Sequence, residues 1–163
     1  MDSSNNLHPG MVLDEVDTEI ITQMQKNGRI TNQKLAERVG IAPSTCVSRV
    51  RNLIQNNVIT GFTARVDPRA LGLELQVVVS VMMRAGARAN LAGFLAELRQ
   101  QPEVAQVFFL GGVEDFLIHL MARDAEHVRE FVTEYLSEHP GVSSTKTSIV
   151  FSHVQSPVIG EVR

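Results

Sequence analysis

A short segment that follows a proline carries side chains able to contact a polyanion. Hydroxyl, amide and guanidinium groups recur in it at helical spacing, at Ser44, Thr45, Ser48, Arg49, Arg51 and Asn52. At about 100° per residue, Thr45, Ser48, Arg49 and Asn52 share one side of a helix, with Ser44 and Arg51 on its flank. These groups are of the kind that contact base edges and phosphates in the major groove of double-stranded DNA. The opposite arc carries apolar side chains, at Cys46, Val47, Val50, Leu53 and Ile54.

Charge is distributed unevenly along the chain. The whole sequence of 163 residues has a net charge of -3. From Lys26 to Arg65 it has seven basic residues and one acid, Glu37, which leaves +6 there and -9 in the rest. This asymmetry predicts a nucleic-acid-binding module joined to an acidic partner domain. The alternative from charge alone is a solvated basic face without a partner.

The elements that position these side chains are three short helices. Asp14 is predicted to cap the first helix, which runs to about Gln25. Thr31 is predicted to cap the second helix, and Gly40 is predicted to end it in a left-handed conformation. Pro43 opens the third helix at the first-turn position that proline favours. The predicted inward side chains are Val16, Ile20, Ile21 and Met24 on the first helix and Leu35, Ala36 and Val39 on the second. The arrangement favours a helix-turn-helix.

A strand and a hinge are predicted after the third helix. Phe62, Ala64 and Val66 alternate with polar residues, so this stretch predicts a strand that acts as a wing, with Arg65 near the DNA backbone. The segment 67–72 is typical of a turn. The predicted organisation is a disordered tail at 1–12, a helix-turn-helix domain at 13–61, a linker at 62–73, an αβ domain at 74–155 and a tail at 156–163.

The second half repeats a strand-helix-strand unit. Strands are predicted at 75–83, 104–110, 116–122 and 143–154, with one helix capped by Asn90 and another by Asp124. The predicted inward side chains are Leu91, Phe94, Leu95 and Leu98 on the first of these helices and Val128, Phe131, Val132 and Tyr135 on the second. The order β-α-β-β-α-β is typical of a ferredoxin-like fold. The predicted fold class is therefore α+β, a winged helix-turn-helix joined by a strand linker to this domain.

The first of these strands is apolar on both faces. Because one face of a ferredoxin-like sheet carries no helix, Val78 and Met82 predict a surface that needs covering. We expect a second copy of the chain to cover it, which makes the protein a homodimer through the αβ domain. The alternative is that the N-terminal helices of the same chain cover the sheet.

The glycine-rich loop before the third strand has two interpretations. In one it is a hairpin turn in which Gly111 and Gly112 supply positive φ angles. In the other their exposed backbone N–H groups hold a ligand carboxylate, while Asp115 meets an α-ammonium group.

Other chemistry finds little support. The histidines at 119, 127, 139 and 153 lack the spacing of a metal site, and Cys46 is predicted to be a buried core residue in a protein of the reducing cytoplasm. Glu114 and Asp115 alternate across a hairpin, which disfavours paired acid–base catalysis. We therefore expect neither an enzyme, nor a cofactor, nor a membrane span.

Two stretches carry a family resemblance. The segment "LDEVDTEIITQMQKNGRITNQKLAERVGIAPSTCVSRVRNLIQNNVITGFTARVDPRALG" resembles the DNA-binding module of the Lrp/AsnC family, the leucine-responsive and asparagine-synthetase regulators. "LGGVEDFLIHLMA" and "HPGVSSTKTSIVF" resemble the ligand-responsive domain of that family. The resemblance departs at Ala42, where the family usually has serine before the proline, and at Gly111, where it commonly has threonine.

The resemblance implies a sequence-specific, prokaryotic transcriptional regulator that responds to an amino acid. It also implies dimers that assemble into octamers, a nucleoid-associated location in the cytoplasm, and Ser148, Ile149 and Val150 lining an effector pocket across a subunit interface. Two alternatives remain open: an architectural, DNA-compacting protein without effector response, and an amino-acid-binding regulatory subunit of an enzyme.

Overall fold

Two compact units make up the chain, residues 12–64 and residues 65–153. The computed structural model describes residues 12–154, without the side chains of residues 88–90. The boundary at residues 64 and 65 falls inside the linker predicted at 62–73. The tails predicted at 1–12 and 156–163 lie outside the described residues, apart from Val12, and so does the side chain of the predicted cap Asn90.

The first unit is a bundle of three helices, α1 (Glu15–Lys26), α2 (Asn32–Val39) and α3 (Pro43–Gln55). Its fully buried side chains come from all three helices and are Ile20, Leu35, Ala36, Cys46 and Leu53. Burial raises the pKa of the Cys46 thiol, which agrees with the core position predicted for it. Ile54, which was predicted to lie inward, is instead 41% exposed.

Local capping begins and ends these helices where the sequence predicts. Asp14 Oδ1 accepts a hydrogen bond of 2.8 Å from the Asp17 backbone N–H, and Thr31 Oγ1 accepts one from the Lys34 N–H. Gly40 ends α2 with a φ of 73°, a conformation that glycine adopts without a steric penalty. Ala42 precedes Pro43 and gives α3 no side-chain cap.

The strand predicted between Phe62 and Val66 is not present in the described chain. An isolated strand has no partner for its backbone hydrogen bonds, and no segment between residues 12 and 154 pairs with this one. Asp67 then caps a 3₁₀ turn at Pro68–Leu71, and Gly72 ends that turn with a φ of 74°. The predicted hinge is thus an ordered turn.

The second unit has the predicted β-α-β-β-α-β order. Its elements are β1 (Leu75–Met83), α4 (Leu91–Leu98), β2 (Val104–Phe109), β3 (Phe116–Ala122), α5 (Ala125–Phe131) and β4 (Val142–Ile149). A 3₁₀ turn at Ala85–Asn90 precedes α4. The strands form one antiparallel sheet in the order β2-β3-β1-β4. The strand β4 ends at Ile149, five residues earlier than predicted.

The two faces of the sheet differ in what packs against them. On β1, Val77, Val79, Val81 and Met83 are buried with Phe94 and Leu98 of α4 in the core of the unit. The intervening side chains, Gln76, Val78, Ser80 and Met82, belong to the other face, together with the side chains that lie opposite them on β3 and β4. We call this second face the open face. It includes Leu117, His119 and Met121 of β3 and Gln106 and Phe108 of β2.

A change in helical pitch corrects one core prediction. After α5 the helix continues as a π-helix from Val132 to Ser137, in which the Glu138 N–H donates to the carbonyl of Thr133, five residues earlier. The wider turn places Leu136, not Tyr135, under the sheet. Leu136 is fully buried and Tyr135 is 42% exposed, although the ordinary helical period predicted the opposite.

Candidate DNA-binding and ligand-binding sites

The exposed face of α3 is a continuous polar surface. Its members are Ser44, Thr45, Ser48, Arg51, Asn52 and Gln55, all exposed. Ser44, Ser48, Arg51 and Gln55 follow one another at spacings of three or four residues and form a line along the helix. Among the described residues, the Arg51 guanidinium has no ion-pair partner. Five of the predicted DNA-binding residues thus share this surface, and Gln55 is a member that the sequence reasoning missed.

Arg49, the sixth predicted residue on α3, occupies a different environment. Its Nη1 lies 2.7 Å from Asp14 Oδ2 and 2.8 Å from Asp17 Oδ1, so one guanidinium nitrogen joins α3 to two carboxylates at the start of α1. The Asp17 side chain is only 10% exposed. Hydrogen bonds from the Asp17 backbone and then from Arg49 hold the pKa of Asp14 below its usual value. We call this contact the Arg49 clasp.

The clasp changes the electrostatic description of the first unit. Residues 12–64 contain six basic and five acidic side chains, because α1 and its N-cap contribute Asp14, Glu15, Asp17 and Glu19. The local excess of +6 therefore describes a window of the sequence, and the folded unit has a net charge of +1. A DNA-binding role depends on where the unpaired cations lie, such as Arg51 on the exposed face of α3, and not on the total.

Arg65, predicted to contact the DNA backbone, is exposed in the segment that joins the two units. Its role stays a prediction.

The loop before β3 holds Asp115 inside the fold. The Asp115 carboxylate accepts a hydrogen bond of 2.7 Å from the Met83 backbone N–H and is 6% exposed. Its own backbone N–H donates to the carbonyl of Val81. Asp115 therefore fastens this loop to the end of β1 as well as being a candidate for ligand contact.

Gly111 and Gly112 are exposed, and neither adopts a positive φ angle. This corrects the turn interpretation, in which these glycines supply left-handed backbone. Among the described atoms, a Cβ at either position would meet nothing within 4 Å. The fold of one chain thus does not require glycine here, and the open backbone leaves room for a molecule from outside the chain.

The three predicted effector residues near β4 do not form a single group. Ser148 lies opposite Val78 and shares the open face, whereas Ile149 lies opposite Val77 and points to the helix side. The Val150 backbone N–H donates to Gln76 at the beginning of β1.

These residues and Asp115 lie at opposite ends of the sheet. Met83, which binds Asp115, is five residues along β1 from Val78, which corresponds to roughly 17 Å at 3.3 Å per residue. Gly112 and Ser148 therefore cannot contact one small ligand within one chain.

A groove of about 460 Å³ lies at the Asp115 end of the sheet. Met83, Arg84, His139 and Gly141 contribute to its lining. Arg84 Nε donates to the Val142 carbonyl at 3.1 Å, which fixes the guanidinium at the groove. A Cβ on Gly141 would lie 3.0 Å from Met83 Cε and from two other atoms, so glycine allows the close approach that forms the groove wall.

Metal and membrane chemistry receive no structural support in the described part of the chain. Between residues 12 and 154, no three or more His, Cys, Asp or Glu side chains gather into a group that could hold a metal ion. His127 Nε2 lies 3.1 Å from Glu103 Oε1 and serves as a contact between α5 and the residue before β2. No helix in the same range is long and apolar enough to cross a membrane.

Comparison with known proteins agrees with both units. Residues 13–60 match the model of a winged helix-turn-helix DNA-binding domain, and residues 76–158 match the Lrp/AsnC ligand binding domain. The chain belongs to the Lrp/AsnC family. It is 45% identical over 143 residues to the HTH-type transcriptional regulator AldR of Mycolicibacterium smegmatis, covering 88% of this chain and 84% of that protein.

Other members of the family are similar over a comparable length. The leucine-responsive regulatory protein of Salmonella typhimurium is 34% identical over 147 residues, which is 90% of each chain. A Neisseria meningitidis transcriptional regulator, solved as a complex with L-methionine, aligns with a TM-score of 0.81 and 32% identity, covering 89% of this chain and 94% of that one. The protein is thus a DNA-binding transcriptional regulator of the Lrp/AsnC family with a ligand-binding domain.

Proposed function

We propose that this regulator reads DNA with the exposed face of α3 and that an amino acid, bound at the Asp115 end of the sheet, changes its assembly or its DNA binding. The observation that carries the ligand proposal is the open backbone of Gly111 and Gly112 beside the buried Asp115 carboxylate. Backbone N–H groups can hold an α-carboxylate, and a carboxylate can meet an α-ammonium group. The methionine complex of the related regulator supports this ligand class.

In the DNA part of the proposal, different residues contact the phosphates and the base edges. Arg51 and Ser44 on the flank of α3 suit phosphate contacts, and Ser48 and Asn52 suit base edges. Arg49 acts through the clasp, which sets the position of α3 against α1. Thr45 and Arg65 complete the proposed set. A lone regulatory subunit of an enzyme would have no use for this exposed polar helix, so it supports a regulator without catalytic activity.

In the assembly part, a second copy completes the ligand site. Ser148, Ile149 and Val150 lie far from Gly112 in one chain, so a neighbouring copy must supply them if they line the same pocket. Dimers that pair through the open face at Val78 and Met82, and that assemble further to an octamer, would allow such sharing. The protein would then act at the nucleoid, in the cytoplasm of a prokaryotic cell.

The test begins with a thermal-shift screen of the twenty amino acids on the full chain. The amino acid that stabilises it is then titrated by calorimetry into the wild type, Gly112→Val and Asp115→Asn. Gly112→Val blocks backbone approach, and its Cβ would meet no described atom within 4 Å. Asp115→Asn keeps an oxygen for the Met83 N–H but loses the negative charge. Both variants should bind the amino acid at least about tenfold more weakly. Gly112→Val should keep the wild-type melting temperature, and the melting temperature of Asp115→Asn, whose carboxylate also fastens the loop, is measured beside its affinity.

Val113→Ala is the matched control, since this exposed side chain lies in the same loop and is expected to change neither property. DNase footprints with and without the amino acid complete the experiment. Wild-type affinity and response in both variants would exclude this loop from the site. Protection of all DNA sequences alike, with no change on adding any amino acid, would favour the DNA-compacting alternative.

A further inference from the structure

The open face contains a small polar cluster among apolar side chains. His119 of β3 lies opposite Val78 of β1 and is 7% exposed. The ring of His153 meets it edge-on, with 5.2 Å between ring centroids and an interplanar angle of 90°. Gln76 lies on the same face of β1, two residues before Val78. The cluster borders a cavity of about 170 Å³, which Phe108 and Val150 also line.

Two atoms of this cluster are buried without a hydrogen-bond partner within residues 12–154. They are His119 Nε2 and Gln76 Oε1. A buried polar atom without a partner is energetically unfavourable, so such atoms are rare unless another molecule satisfies them. Both atoms belong to the face that carries no helix. The cluster is therefore incomplete in a single chain.

We propose that a second copy of the chain covers this cluster, and that the resulting interface weakens in acid because His119 must stay neutral in it. The inference rests on the proposed dimer through the open face and adds its regulation.

The charge of the open face argues for a second copy as the occupant. The described side chains of this face include no acid, and their one permanent charge is Lys146, which lies opposite Ser80. Two nearly neutral, identical faces can pack by a two-fold axis with little repulsion. Met82 and Phe108 are 39% and 47% exposed on this face, and such apolar side chains are stabilised when a partner removes them from water.

Protonation opposes this packing. Burial, and then the neighbouring His153, lower the pKa of His119 below its usual value. The groups that face His119 are Val78 and Gln76 from β1, Gln106 and Phe108 from β2, and His153 after β4. None of them is an acid that could stabilise an imidazolium.

The direction of the pH effect follows from linkage. The separated chain already holds the pKa of His119 below its usual value, and a second copy that removes the open face from water lowers it further. The free energy of dimerisation is thus fully present above the ordinary histidine pKa of about 6.5 and is lost as the pH falls through the lowered pKa of His119 in the separated chain.

Sedimentation velocity of the full chain between about pH 7.5 and about pH 5.5 tests the proposal, with circular dichroism at each pH to confirm folding. The dimer dissociation constant of the wild type should rise on the order of tenfold or more over this range. His119→Gln, which can hydrogen-bond but not titrate, should still dimerise and lose most of the rise. His127→Gln, on the helix side of the sheet, is the control and should keep it.

A pH-independent dissociation constant in the wild type, or an unchanged rise in His119→Gln, would overturn the proposal while leaving the dimer itself intact. Should His119→Gln fail to fold, His119→Asn replaces it, because asparagine also hydrogen-bonds without titrating. That variant should lose most of the rise, and an unchanged rise would overturn the proposal. If the dimer does not form through the open face, a different result is expected, because Val78→Asp then remains a dimer.

Discussion

The exposed face of α3 and the open face of the sheet differ in how well a single chain satisfies them. On α3 the outward side chains are polar, and most of the apolar ones pack inward on Ile20 and Leu35. On the sheet, Met82 and Phe108 are exposed, while His119 Nε2 is buried without a partner within the described residues. The first surface is ready to meet a hydrated, charged molecule. The second surface is suited to another protein face, and the two therefore have different partners.

The largest expected effect tests the second surface. Val78→Asp places a carboxylate in the proposed interface, and its neighbours on β3 and β4, His119 and Ser148, carry no permanent positive charge. The substitution should weaken dimerisation on the order of a thousandfold. Operator affinity should fall with it, because two helix-turn-helix modules must reach half-sites together. Light scattering and gel shifts measure the two quantities. Ala96→Asp, on the exposed side of α4, is the matched control. An intact dimer in Val78→Asp would contradict the assignment of the open face to a protein partner.

A smaller effect separates two arginines on α3. Arg51→Ala should leave the melting temperature unchanged, weaken DNA binding, and reduce the slope of log affinity against log salt by about one unit. Arg49→Ala should instead lower the melting temperature, because the mostly buried Asp17 carboxylate loses its cation. Affinities at several salt concentrations and calorimetric melts distinguish the two.

The double variant Asp17→Asn, Arg49→Ala sharpens this test. It removes the unpaired charge and should recover part of the stability lost in Arg49→Ala, as expected for partners in one contact. A normal melting temperature for Arg49→Ala, together with a salt slope reduced by one, would show that Arg49 contacts phosphate and that the clasp has no positioning role.

The smallest effect concerns the beginning of α3. Ala42 already has the extended backbone of an N-cap, with φ -65° and ψ 143°, but no side-chain oxygen. Ala42→Ser should supply the missing acceptor and raise the stability of the first unit by about 1 kcal/mol. Differential scanning calorimetry measures it against Ala64→Ser, an exposed position outside any helix. An equal shift in both variants would mean that the serine does not cap α3.

Much of the fold could be predicted because its signals are local. The caps at Asp14, Thr31 and Asp124 and the left-handed Gly40 depend on residues within one turn. The strands β1 and β3 have the predicted bounds, since their β-branched or apolar runs are long and end at turn residues. Where the helical pitch depends on tertiary packing, the predicted burial of side chains was wrong. The π-helix that buries Leu136 and exposes Tyr135 leaves no signal in the 3.6-residue period.

The candidate sites divide in the same way. Residue types and helical spacing alone determined that Ser44, Thr45, Ser48, Arg51 and Asn52 form one polar surface. Only the tertiary structure decided that Arg49 binds Asp14 and Asp17, which precede it by 35 and 32 residues. It also decided that Asp115 fastens its loop to Met83 and that Ile149 points away from Ser148. Periodicity reports which side of an element a residue occupies, whereas the partner on that side depends on how distant elements pack and which register the strands adopt.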